Sequence, residues 1–143
     1  MVARSTPLGG ASITTTTATV ATNQNTNSTT YTDLATAGPA VTVTTGTKAL
    51  VIVTSQINAS NASIAYMSYA VSGATTIAAN DAVALWKEND NGSAVNESIR
   101  ASCVSQVTLT AGSNTFTAKY RHSAGGGGLA VFRERDILVM NLN

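Results

Sequence analysis

The sequence predicts an all-β fold, an antiparallel β-sandwich of the jelly-roll kind with an extended N-terminal arm. Three observations carry that expectation. Thr and Val are abundant, and β-branched residues suit a pleated, half-buried surface better than a helix. Gly38-Pro39, Thr45-Gly46-Thr47, Ser72-Gly73-Ala74, Asn91-Gly92 and Ala111-Gly112-Ser113 punctuate the chain at strand-length intervals. Between these turns apolar and polar residues alternate with the strand period, and no long stretch follows the helical one.

The stretch from Tyr31 to Ser55 organises the remainder. Ala40 to Thr44 places Val41 and Val43 on one face. After the turn at Gly46, the run Ala49 to Val53 is apolar on both faces, the pattern of a central strand covered on both sides. Thr29 to Asp33 is expected as a short first strand. Ile64 to Ser72 has two half-apolar faces, one for the core and one for another subunit. Thr75 to Glu88 fits either a short helix capped by Asn80 or Asp81, or a strand at Ala82 to Lys87; its β neighbours favour the strand. Further strands are expected at Ser98 to Leu109, Thr115 to Arg121, Leu129 to Arg133 and Asp136 to Leu142. In the third-last of these, Phe116, Ala118 and Tyr120 oppose Thr115, Thr117, Lys119 and Arg121. Eight or nine strands in one short chain fit a sandwich or jelly roll.

At 143 residues the chain suits a single domain, assigned to residues 29–143 and preceded by an arm over residues 1–28. The arm, with Thr14 to Thr17 and then Thr22 to Asn27, has too few apolar residues to fold alone. It is either a disordered tail or a strand added to a neighbour's sheet edge, with Ile13 and Val20 filling pockets. A formal net charge of +1 with only 10% charged residues leaves no footprint for nucleic acid or an anionic membrane. So sparse a charge also protects poorly against self-association, so other subunits are expected to cover much of the surface. The N-terminus MVARSTPLGG lacks an apolar signal region, and no run approaches a membrane span. Cys103, the only cysteine, forms no intrachain disulfide and is expected as a small buried hydrophobe. The Asn-X-Ser/Thr matches at Asn27, Asn58, Asn61, Asn91 and Asn96 are what chance supplies in such a composition.

Chemistry finds little support. His122, the sole histidine, is expected to be exposed beside a glycine loop, in no spacing that supports a nucleophile and base. Gly125 to Gly128 is followed by no Lys-Ser/Thr and no helix, which removes a phosphate cradle. Glu88, Asp90, Asn91, Asn96 and Glu97 supply oxygen ligands but depart from the EF-hand spacing, so a solvated turn is preferred. Asp33, Asp81 and Asp136 are dispersed, and Arg133-Glu134-Arg135-Asp136 alternates in sign as surface or intersubunit ion pairs do. No catalytic, cofactor or metal residue is assigned. Contact surfaces remain, with Ile13, Val20, Tyr31, Tyr66, Tyr69, Trp86, Arg133 and Arg135 as candidate interface residues.

The segments YTDLATAGPAVTV from Tyr31, YMSYAVSGATT from Tyr66, LTAGSNTFTAKYR from Leu109 and FRERDILVM from Phe132 together resemble a domain of virion structural proteins of tailed actinobacterial phages. The resemblance spans most of residues 29 to 142. It implies a compact sandwich, of the trimeric jelly-roll kind seen in tumour-necrosis-factor-like and C1q-like domains, and brings no catalytic residues. It leads to the expectation of a non-enzymatic capsid decoration, or cement, protein. Such a protein is made in the host cytoplasm, sits on the virion surface as a homotrimer and contacts the major capsid protein or other virion proteins. The alternative is a tail-associated or fibre-tip domain binding a host-surface glycan through Tyr66, Tyr69, Trp86 and the 88 to 97 loop. The chain departs from the tail-protein pattern in having only a short arm and no long stalk.

Overall fold

In the computed structural model, which describes residues 13–89, 97–123 and 128–142, two antiparallel sheets pack face to face. The first sheet orders β1 (Thr14–Val20), β9 (Ala130–Asn141), β4 (Lys48–Ala59) and β7 (Ile99–Thr108), with β2 (Gln24–Thr26) continuing β1's side of β9. The second orders β3 (Ala40–Thr45), β8 (Gly112–His122), β5 (Ile64–Gly73) and β6 (Leu85–Glu88). From β3 onward the chain crosses between sheets at every connection except β5 to β6, the winding of a jelly roll. The all-β sandwich expected from the sequence is what forms.

The core follows from alternation. Ala49, Val51, Val53 and Ile57 of β4, with Ile137 and Val139 of β9, face Met67, Tyr69 and Val71 of β5 and Phe116, Ala118 and Tyr120 of β8, all buried. Tyr69 and Phe116 meet at a centroid distance of 6.3 Å, and Tyr120 and Phe132 at 4.8 Å. At the β5 end, Gly73 holds a φ of 106°, and a Cβ there would clash with the Ser113 carbonyl, so only glycine fits the approach to β8.

Several local expectations change. The two strands expected at Leu129 to Arg133 and Asp136 to Leu142 are one strand, β9, bent by a bulge. Glu134 sits at φ 48° and, with Arg135, opposes the single residue Ser55 of β4. Ser55 Oγ donates to the Arg133 carbonyl at 3.0 Å and helps hold the bulge. The extra residue reverses parity, so that Phe132 before it and Ile137 after it, five apart, both face the core. The polar run Arg133 to Asp136 resembles a break in the sequence, yet the backbone ladder continues through it. Thr29 to Asp33 contributes only a bridge between Thr32 and Tyr120, with backbone bonds of 2.9 and 3.0 Å. Thr75 to Glu88 divides between both readings. Asn80 accepts from the Ala82 amide and caps a 3-10 turn at Asp81–Val83, and β6 follows.

The arm's described part is not free. β1 and β2 lengthen the edge of this chain's own first sheet, pairing with β9 from Thr14↔Asn141 to Val20↔Arg135 and from Gln24↔Phe132 to Thr26↔Ala130. Thr-rich strands with few apolar side chains find backbone partners there, whatever their poor capacity to make a core. Residues 1–12 lie outside the described residues.

Arg135 corrects an interface assignment. Its side chain is fully buried because the bulge turns it inward. Nη2 donates to Gln24 Oε1 at 2.9 Å and, at 3.4 Å, to the Thr22 carbonyl; Nη1 reaches the carbonyls of Thr36 and Gly38 at 3.4 Å. The guanidinium carbon lies 5.3 Å from the centroid of Tyr120, whose hydroxyl donates to the Gly38 carbonyl at 2.8 Å. This cation is held by neutral acceptors and an aromatic face, and it ties the segment from β2 to β3 onto the sandwich. Arg135→Ala is expected to lower unfolding free energy by about 3 kcal/mol, because carbonyls lose their donors and a cavity opens. Arg135→Met, which fills the space without a buried charge, should lose less than about half of that. Urea unfolding at fixed protein concentration, with limited proteolysis across residues 21 to 38, checks the order.

Candidate functional surfaces

Each sheet presents an outward face, and the two differ in chemistry. On the first sheet the registers align Thr17, Leu138, Ile52 and Val104 in one row and Thr15, Met140, Leu50 and Gln106 in the next. These eight side chains carry no charge. Leu50, Ile52, Leu138 and Met140 are half-buried by their strand neighbours, while Val104 is 58% exposed. One row further the face turns polar. Asp136 accepts from Thr19 Oγ1 and from Arg100 Nη2, both at 2.6 Å, and Thr54 and Ser102 hydroxyls meet at 2.7 Å. Arg133 stands beyond them and donates to Ser98 Oγ at 3.0 Å. The surface is an apolar field with a polar margin, the anatomy of a protein contact.

On the second sheet, Trp86, Tyr66 and Arg121 form a row across β6, β5 and β8. Arg121 places its guanidinium carbon 3.8 Å from the Tyr66 ring centroid and 5.6 Å from that of Tyr31. It grips Asp81 with both ends of its fork, Nε to Oδ1 at 2.9 Å and Nη2 to Oδ2 at 2.5 Å. The Tyr31 hydroxyl donates to Oδ1 at 2.8 Å. The Arg121 bonds hold the Asp81 carboxyl below the usual carboxylate range, while burial and then Asp81 push the Tyr31 phenol up. Lys119, two residues along β8, pairs with Asp33 at 2.8 Å.

The structure separates the eight expected interface residues. Ile13 and Trp86 are exposed at 61% and 55%. Tyr31 and Tyr66 belong to the Arg121 cluster, and Arg133 to the polar margin of the first sheet. Val20 is half-buried at the end of β1, opposite Arg135. Tyr69 is removed from any platform, as Arg135 is. It lies on the inner face of β5, where its hydroxyl meets Ser105 Oγ at 2.8 Å across the sandwich, and burial pushes its phenol up. Its parity with Met67 and Val71, both apolar, was the available signal. Arg121 and Asp81 were missed as partners because forty residues and a sheet register separate them.

The remaining chemistry changes at one point. His122 is buried, not exposed, since it continues the inward alternation of Phe116, Ala118 and Tyr120; its amide donates to the Ser28 carbonyl at 2.7 Å. Burial pushes the imidazole below its ordinary range. Cys103 is a free thiol, half-buried on β7, and burial pushes it up. No group of three or more His, Cys, Asp or Glu able to hold a metal ion occurs among the described residues. Most of the oxygen-rich 88 to 97 stretch and the Gly125 to Gly127 part of the glycine run lie outside them. No helix among the described residues is long and apolar enough to cross a membrane.

No protein-family description matches the chain, and no curated protein matches it in sequence. Among solved structures it is similar to the Eiger TNF of S. frugiperda, with 15% identity, a TM-score of 0.54, and coverage of 92% of this chain and 93% of that one. At that identity the likeness shows the fold alone, a TNF-like jelly roll over nearly the whole chain. The Asp81 pairing generates a pH test. Its depressed folded value means that its contribution is present above the ordinary carboxylate range and is lost as pH falls through the depressed value. With Asp81 half-exposed, Asp81→Asn should cost about 0.5–1 kcal/mol near neutrality and nothing in strong acid, read from paired urea curves.

Proposed function

We propose that this chain is a non-enzymatic structural protein of a phage particle, a decoration or cement protein that assembles as a homotrimer and stabilises the head it binds. The observation that carries the reading is the uncharged field of Leu50, Ile52, Leu138, Met140 and Val104 on the outer face of the first sheet. The sequence pattern of Ala49 to Val53 asks for cover on both sides of β4, and within one chain only the inner side receives it fully. A copy of the same chain supplies the other cover at about 25 cal/mol per Å² of apolar surface removed from water, offset by the entropy of association.

The virion assignment draws on the resemblance of the Tyr31, Tyr66, Leu109 and Phe132 segments to phage structural domains. The TNF-like architecture adds a jelly roll of the kind that packs around a threefold axis. In this reading the mechanism is purely mechanical: interfaces between subunits and to the major capsid protein raise the cost of head expansion or rupture. The polar margin of Arg100, Arg133 and Asp136 rims the apolar field and sets its orientation.

Val104→Lys tests the assembly, because a side chain so exposed in the single chain tolerates lysine without loss of fold. Wild-type protein should scatter light at three chain masses and Val104→Lys at one, with an unchanged circular dichroism spectrum. A wild-type chain that remains monomeric removes the trimer. Counting the chain in purified particles tests the location: head decoration requires a copy number that follows the head lattice, and the few copies of a tail tip would overturn it.

A further inference from the structure

The outer face of the second sheet has a feature that assembly through the first sheet leaves unused. Trp86, the only tryptophan in the chain, stands 55% exposed on β6. Among the described residues, the other exposed large apolar side chains, Ile13, Ile99, Val104, Leu129 and Leu142, belong to the strands of the first sheet or their flanks. A single aromatic offers too little apolar area for a protein contact of ordinary size. Its neighbours are polar and rigidly set. Tyr66, its direct cross-strand partner, lies under Arg121, and Arg121 and Tyr31 hold Asp81.

The hydrogen-bond count at Asp81 leaves room for a ligand. An ionised carboxylate has about four acceptor sites. Two donors occupy Oδ1 and one occupies Oδ2, so Oδ2 retains an acceptor position on a side chain that is 54% exposed. The cations around it are engaged. Arg121 is paired with Asp81 and Lys119 with Asp33, while Lys87 lies on the other face of β6 and donates to the Glu88 carbonyl. Glu88 shares the Trp86 face and adds negative charge there. An anionic ligand finds no unpaired cation here, while a molecule with an apolar C–H face and a hydroxyl edge matches both the indole and the carboxylate.

We propose that Trp86 and Asp81 form a binding site for an uncharged saccharide, the pyranose stacking on the indole and one hydroxyl donating to Asp81 Oδ2. Tyr66, Arg121 and Tyr31 act as positioning residues that fix the carboxylate beside the platform. The site lies on the face opposite the uncharged field, so it does not depend on the assembly reading, and three copies in one trimer would reinforce a weak single-site affinity.

Trp86 is its own reporter. The full-length protein is titrated with the methyl glycosides of glucose, galactose and mannose, with their uncharged disaccharides, and with sialyllactose as a charged control. The expected result is a saturable shift of the tryptophan emission with at least one uncharged sugar, and an affinity weaker by about tenfold in Asp81→Asn. In Trp86→Ala, saturation-transfer NMR should lose the sugar signal while the melting curve stays that of a folded protein. Val104→Lys should bind as wild type does. A flat titration across the uncharged panel, a response confined to sialyllactose, or binding that survives both Asp81→Asn and Trp86→Ala overturns the site.

Discussion

The bulge in β9 is the constraint on which the rest of the molecule depends. β9 lies between β1 and β4 and pairs along most of its length, so every side chain it carries must be assigned to the core or to the outer face. A strand without the extra residue would bury Phe132 and expose Ile137 and Val139, or the reverse. Glu134 at a positive φ resolves that conflict at modest conformational cost. The same step turns Arg135 inward, where the carbonyls of the β2 to β3 segment and the Tyr120 ring receive it. The covering of one end of the sandwich is thus linked to the register of its central strands.

The correct parity of β9 also determines the outer face of the first sheet. Leu138 and Met140 point outward because Ile137 and Val139 point inward, and they join Leu50 and Ile52 of β4. An apolar strand pair covered on only one side is a surface with an energetic preference for another surface. On the opposite sheet the outward positions include the Arg121–Asp81 and Lys119–Asp33 pairs, the Tyr66 and Trp86 rings and the paired hydroxyls of Thr42 and Thr115. The sandwich therefore presents one uncharged outer face and one that carries ion pairs and aromatics, and the two share no residues.

Much of this was legible before any fold. Alternation at Thr115 to Arg121 named the inward residues of β8, and the apolar run from Ala49 identified the centre of a sheet. The role of the arm was half legible. Its composition showed that it cannot make a core, but not that its backbone finds a partner in β9, because hydrogen bonding to a sheet edge requires almost nothing of the side chains. Tyr69 could have been assigned to the core from its parity with Met67 and Val71, and His122 from its parity with Tyr120. Residue type pointed Tyr69 outward instead, and the adjacent glycine loop did so for His122.

By itself the sequence determined the β class, the approximate strands and the poverty of charge, since these rest on local preference and period-two alternation within short windows. Only the tertiary structure decided which face of each strand looks inward beyond the bulge. It alone placed Arg135 against Gln24 and Gly38, and Arg121 against Asp81 and Tyr66. Those pairings join residues forty to more than a hundred positions apart. A single inserted residue in one strand shifts every side chain after it to the other face, and no local pattern records where the opposing strand requires that shift.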